Sequence, residues 1–324
     1  MKAPITIQII VKNHESVIEH CLQSISSLNA NILIGDIGCE DNSIKISKQF
    51  TNNIKRLYIK DDMSKARNEM MHLSSTKWNF YIDPWETFLS GDINEIFEKT
   101  NNCFKINVLQ SDVLTKQIRI WNKDSGIFFK NPIYEYLDGD AINLPVYIKS
   151  EAYKNDLEKQ ILESWQKSFP FSSETIYYTA CFNFKEKNWD SFLNYSESYL
   201  HQEKTKKKSY FMMLYYRSMV LCYMKKDFEN AVKSLIPCLA EKPTNGEFWC
   251  LLGDIYYCLK DYERAKSFYE NAKILGSRRL NDDDYPMEIS KYKEYPEKLI
   301  KSCDAIKQSC SIYSGKVHSR LISE

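Results

Sequence analysis

Three polar residues in the first third of the chain stand where a sheet would present them to a ligand. Asn13, Asp36 and Asp83 each lie just past a short apolar run that reads as a β-strand. Open α/β sheets bind their ligands at the carboxyl ends of the strands, so an amide and two carboxylates at that edge are placed to hydrogen-bond a bound molecule. Asn and Asp also cap helices and open turns, which would account for any one of the three alone. Three at the same edge favour a ligand.

The elements that must position them alternate. Ile5 to Val11 is a β-branched run of strand length, and Asn13 to Leu28 follows as a helix, with Val17, Ile18, Cys21, Ile25 and Leu28 at helical spacing. Asn31 to Gly35 is a second strand. Ser43 to Phe50 is a second helix, with Asp41, Asn42 or Ser43 available to cap it. Ile54 to Ile59, Ser64 to Leu73 and Trp78 to Ile82 continue as strand, helix and strand. Such alternation predicts an α/β, Rossmann-like domain with a mostly parallel sheet.

The second half repeats. Lys226-Asp-Phe-Glu-Asn-Ala231 and Lys260-Asp-Tyr-Glu-Arg-Ala265 are offset by 34 residues, the period of a tetratricopeptide repeat (TPR). Trp249, Leu252, Gly253, Tyr256, Ala265, Tyr269 and Ala272 fill the pattern, with small residues letting two helices approach and aromatic ones filling the rest. The upstream copy is looser, with Tyr215, Ala231, Leu235, Cys238 and Pro243 on the same frame, and a third, Tyr177 to Leu200 around Lys187-Asn-Trp-Asp190, is shifted by the insertion His201 to Ser209. The lysines of that insertion read as a solvated loop, and Asp282-Asp-Asp284 as a loop or helix cap. The expected organisation is an α/β domain over 1–155, helical repeats over 156–276, and a capping helix with a tail over 277–324.

Charge and cysteines narrow the function classes. Lys and Arg total 44 against 43 Asp and Glu, a formal charge of +1, which gives no global attraction to nucleic acid or an anionic membrane. The 10 cysteines form no CxxC pair and no recurrent spacing, so zinc is not supported. No basic-then-apolar leader stands before the first strand, and no apolar run approaches the roughly 20 residues of a membrane span. The expectation is a soluble cytoplasmic protein with reduced cysteines.

Four motifs carry a family resemblance. Val11-Lys-Asn-His-Glu15, Asp36-Ile-Gly-Cys-Glu-Asp-Asn-Ser43, Ser64-Lys-Ala-Arg-Asn68 and Trp78-Asn-Phe-Tyr-Ile-Asp83 occur in the order and spacing of family 2 glycosyltransferases of the GT-A fold. Arg119, Pro132-Ile-Tyr-Glu135 and Val146 to Tyr153 resemble the remainder of that domain more weakly. The repeats behind it resemble the arrangement in enzymes that glycosylate bacteriocin peptides on cysteine or serine. The resemblance implies a donor site for a nucleotide sugar, a UDP-sugar first of all. Asp36 would accept from the base, Asn13 and Glu15 would line base and ribose, and Arg67 would face the diphosphate, whose oxygens suit a forked donor. Asp83 and Glu135 would be catalytic, Glu135 as base, and Trp85 would pack against the donor or close over the empty metal position. The repeats would recognise a peptide or protein acceptor, or form a homodimer.

The chain departs from that pattern at the metal. Where the family continues Asp-x-Asp, it reads Asp83-Pro84-Trp85-Glu86; a His-Glu pair is replaced by Tyr134-Glu135, and a later His by Ile148-Lys-Ser-Glu151. Mg²⁺ and Mn²⁺ gain affinity from carboxylates, which Trp85, Tyr134 and Ser150 do not offer. Asp83 and Glu86 would be the ligands of a weak or absent ion. Three readings stand: a transferase that neutralises the diphosphate with Arg67, Lys65 or Arg119, one with a weak metal, and a donor-binding relic that acts as a repeat scaffold.

Overall fold

The structure, a computed structural model, describes residues 4–59, 61–153, 156–281 and 283–321. It divides into two compact units, Met1–Pro170 with Asp284–Pro286, and Phe171–Asp283 with Met287–Glu324.

In the first unit the strands are β1 (Ile5–Val11), β2 (Asn31–Asp36), β3 (Ile54–Arg56), β4 (Trp78–Tyr81), β5 (Glu86–Ser90), β6 (Cys103–Gln110), β7 (Val113–Asn122), β8 (Phe129–Lys130), β9 (Tyr136–Leu137) and β10 (Ala141–Ser150). The helices are α1 (Ile18–Ile25), α2 (Ser43–Ser47), α3 (Met63–Leu73) and α4 (Asp156–Ser168). Eight strands run in the order β3-β2-β1-β4-β7-β6-β10-β5, and β8 pairs with β9 apart from them. The first four are mutually parallel and β10 is parallel to β6, whereas β7 runs against both β4 and β6, and β5 against β10.

Strand β1 is buried along its whole length, as a parallel strand covered on both faces must be. Ile5, Ile7, Ile9 and Val11 share one core with Ile18, Cys21, Leu22 and Ile25 of α1. Ile10 points to the other face, where Leu33, Leu57, Ala66 and Met70 meet Leu157 and Ile161 of α4. The chain steps from β1 outward to β2 and β3, then returns to place β4 on the other side of β1. The order therefore reverses between β1 and β4, and the crevice beyond their carboxyl ends is a topological switch point.

The second unit stacks helix pairs: α5 (Ser173–Lys185) with α6 (Trp189–Gln202), α7 (Lys208–Val220) with α8 (Phe228–Glu241), and α9 (Gly246–Cys258) with α10 (Tyr262–Gly276), followed by α11 (Glu294–Leu321). Each pair turns at a lysine in the left-handed region, Lys187, Lys226 and Lys260, with φ of 60°, 57° and 62°. The next residue opens the second helix. Asp227 and Asp261 do so by accepting from the backbone N–H groups of Asn230 and Arg264. The shifted third copy thus shares the turn of the others, and the offset is absorbed between Gln202, where α6 ends, and Lys208, where α7 begins. Ala265, Tyr269 and Ala272 are fully buried. A Cβ on Gly253 would lie 2.5 Å from Cε1 of Tyr269, so only glycine lets that ring close on the helix.

No helix among the described residues is long and apolar enough to cross a membrane. The nine cysteines with described side chains are all free thiols. Asp282 and the side chain of Cys310 lie outside the described residues.

Candidate functional site

The switch-point crevice gathers charged side chains that are almost wholly buried. Asp83, just past β4, accepts from Nη2 of Arg67 at 2.6 Å, and its other oxygen lies 3.7 Å from Nη1 of Arg119. Arg67 is on α3, whose buried face carries it inward beside Met70 and Met71. Its Nε donates to Glu135 at 2.5 Å. Arg119 comes from β7 and forks onto Glu86 at the start of β5, at 2.8 and 3.0 Å. Both guanidiniums sit over the Tyr81 ring, 4.2 and 4.1 Å from its centroid. Relative exposure is 5% for Arg67, 4% for Arg119 and 2% for Glu86, so the cluster is held in a low dielectric where each pairing counts.

Titration follows that environment. Burial alone would raise the Asp83 carboxyl, but Arg67 and Arg119 outweigh it and hold it below the ordinary value. Burial pushes Glu86 up to about 7, against the pull of Arg119, and Asp83 adds to the rise. Burial also pushes the Tyr81 phenol up to about 12. Two guanidiniums face three carboxylates here. When all are ionised the cluster carries no surplus positive charge, so Arg67 meets a diphosphate only if Glu135 or Asp83 releases it.

Asn13, Glu15 and Asp36 form a second group on the loops after β1 and β2. Asn13 adopts φ of 56°, which Asn tolerates, and its side chain accepts from the Glu40 N–H at 2.8 Å. Glu15 accepts from the backbone and side-chain N–H groups of Asn42 at 3.0 and 2.9 Å. Asp36 accepts from the N–H groups of Gly38 and Cys39, both at 2.8 Å, and from Arg56 at 2.7 Å. Burial would raise Asp36; those hydrogen bonds reverse the shift and keep it ionised. The residues expected to line base and ribose thus also tie the two loops together.

Trp85 joins a third group. Its ring stacks on Tyr153 at 5.3 Å with 4° between the planes, and His14 packs against both, 5.5 Å from Trp85 and 5.0 Å from Tyr153. Tyr153 donates to the carbonyl of Asn13 at 3.2 Å, linking this group to the loop after β1. Neither His14 nor Tyr153 was singled out in the sequence. His14 lies inside the Val11 to Glu15 motif, beside the residues whose types drew attention, and Tyr153 ends the weakest motif match.

The remaining departures from the family pattern are also placed. Ser150 is buried and registers opposite Glu86 across β10 and β5. Tyr134 has φ of 52°, an uncommon conformation for a bulky residue, and its hydroxyl donates to Glu158 of α4. That constraint fixes the backbone beside Glu135. Lys65 pairs with Asp62 at 3.2 Å. No three His, Cys, Asp or Glu side chains gather as a metal-ligand set among the described residues. Asp83 and Glu86 each face a guanidinium, and a divalent ion would have to displace a cation from both. The donor set as arranged does not fit Mg²⁺ or Mn²⁺.

No protein-family model matches the sequence, and no curated protein matches it. Among solved structures, residues 1–349 of S. aureus TarS in complex with UDP align over 93% of this chain and 92% of that one, at 12% identity and a TM-score of 0.39. The Sgt2 TPR domain from Aspergillus fumigatus aligns over 43% of this chain and 81% of that one, at 13% identity and a TM-score of 0.34. MamA from Desulfovibrio magneticus aligns over 49% and 81%, at 16% identity and a TM-score of 0.37. Superpositions this loose do not by themselves establish a shared fold or activity.

Proposed function

We propose that the first unit binds a nucleoside diphosphate sugar, with a UDP-sugar the expected donor, and that the chain is a cytoplasmic glycosyltransferase of the GT-A, family 2 kind acting on a peptide or protein acceptor. The observation that carries this reading is Arg67, buried at a topological switch point between Asp83 and Glu135. Asp36 on the neighbouring loop remains ionised to accept from the base, and Trp85 borders the same crevice.

In this reading the arginine changes partners. A donor diphosphate draws Arg67 from Glu135 while Asp83 keeps hold of its other edge. Glu135 is then free of its hydrogen-bond partner and open to the acceptor. The acceptor hydroxyl or thiol attacks C1 of the sugar, the C1–O bond to the diphosphate breaks, and the acceptor proton passes to Glu135. The nucleoside diphosphate leaves with the bonding electrons, its charge met by Arg67. No step needs a divalent ion. The repeats supply the acceptor surface, since stacked helix pairs leave an extended concave face, and the same face would serve a homodimer.

Calorimetric titration with UDP and UDP-sugars, each with Mn²⁺ and with a chelator, tests the reading. Binding is expected under both conditions, and Asp36→Ala is expected to weaken it about tenfold or more. Strict Mn²⁺ dependence lost in Asp83→Ala would restore a metal-assisted transferase. A second reading, a donor-binding scaffold without transfer, is favoured by the full pairing of both arginines. Glu135→Gln separates the two: it should abolish nucleoside diphosphate release in the presence of acceptor but spare donor binding, whereas in a scaffold there is no release to lose.

A further inference from the structure

The His14, Trp85 and Tyr153 group contains a donor without an acceptor. His14 is 3% exposed, and its Nδ1 accepts from the Lys12 N–H at 2.9 Å. The hydrogen of the neutral imidazole therefore sits on Nε2, and this buried atom has no hydrogen-bond partner. Burial lowers the His14 pKa to about 4, so the ring is neutral at pH 7. A buried N–H left unpaired is costly, and such groups call for an explanation in a folded protein. Beside it stands the Trp85 indole, half-buried, with its face covered by the parallel Tyr153 ring.

We propose that Trp85 and His14 form the subsite for the sugar ring of the donor: the pyranose lies on the indole in the place Tyr153 occupies, and one of its hydroxyls accepts from His14 Nε2–H. The chemistry is specific to a carbohydrate. A pyranose has a face of C–H bonds that carries slight positive charge, and the indole face is negative, so the two attract as well as exclude water. Its hydroxyls supply the acceptor that the protein withholds from Nε2. A phosphate would suit this place poorly, because His14 is neutral and Asp83 is close enough to act on its titration. Tyr153 covers the indole face in the free chain and is the residue that must give way.

The proposal rests on the nucleotide-sugar reading and assigns the sugar contact within it, so its test subtracts the nucleotide. UDP and UDP-hexoses, including their N-acetylated forms, are titrated in parallel, and the affinity gained from the sugar is the readout. Trp85→Ala and His14→Phe should each lose about tenfold of that gain and leave UDP binding unchanged. His14→Gln, which keeps a donor, should recover much of it. Tyr153→Ala should keep or raise the gain, since it removes the competitor. Retention of the gain in both Trp85→Ala and His14→Phe overturns the proposal, and so does a loss in Tyr153→Ala equal to that in Trp85→Ala. Wild-type protein that binds no nucleotide overturns the donor reading instead. Saturation-transfer NMR with methyl glycosides then decides the subsite, and an absence of transfer that depends on Trp85 overturns it too.

Discussion

Both units bury carboxylates, and they satisfy them in opposite ways. In the second unit Asp254 accepts from the hydroxyls of Tyr223, Tyr269 and Tyr295, the last two at 2.7 Å, tying α9 to α10 and α11. Glu247 accepts from Tyr292 and from the Glu288 N–H, both at 2.7 Å, with Arg279 at 3.3 Å. Tyrosines also place large apolar rings in the helix contacts, so one side chain fills volume and closes a hydrogen bond. In the first unit Asp83, Glu86 and Glu135 are matched mainly by guanidiniums, and His14 Nε2 close by is matched by nothing. A closed network built mainly of tyrosine hydroxyls, with Arg279 added at Glu247, holds helices together. A network of full charges with a vacant donor beside it is one that a ligand can rearrange.

The sharpest way to break this contrast is to remove a cation from the first unit. Arg119→Met strips the buried Glu86 carboxyl of its forked partner and should cost up to about 3–5 kcal/mol, most of it above pH 7 where Glu86 would otherwise be ionised. Hydrogen exchange read by mass spectrometry should show the loss in peptides from the first unit and little change in the repeats. An equal loss in both would mean that the two do not respond separately.

Packing is the corresponding weak point of the second unit. Ala265 is fully buried beside Tyr269 and Cys303, so Ala265→Leu should overpack the contact by roughly 1–3 kcal/mol, seen as a lower urea midpoint. A neutral result would place the repeat frame wrongly.

The smallest effect compares the two raised carboxyls. Burial pushes Glu247 up to about 7 despite Arg279, as it does Glu86. A folded-state pKa above the unfolded value gives stability that is complete below the ordinary Glu range and is lost as pH rises through about 7. Stability should therefore fall between the two values, at no more than about 1.4 kcal/mol per pH unit for each group. Glu247→Gln should flatten the slope in the repeats and Glu86→Gln that in the first unit. A slope unchanged in both variants would assign the pH dependence elsewhere.

Much of the architecture was legible because it repeats or alternates. The run from Ile5 to Val11 predicts a strand, and the 34-residue offset of Lys226 and Lys260 predicts a helical repeat, whose pairs fold back at those lysines. The extent of single elements was less legible. The helix expected from Asn13 forms only at Ile18, because the loop before it bonds instead to Ser43 and Asp41, residues distant in sequence. The run Ile54 to Ile59 yields a strand only to Arg56, where its partner β2 ends in register at Asp36.

The candidate site shows the same division. Residue type and strand-end position alone drew attention to Asn13, Asp36 and Asp83, since local sequence determines where a strand stops and which side chain follows. That Arg67 is shared by Asp83 and Glu135, that Arg119 neutralises Glu86, and that His14 lies under Trp85 and Tyr153 depended on β7, β10 and the segments beside them reaching the same crevice. Pairing between groups dozens of residues apart is set by sheet order and register, and no local pattern in the chain records it.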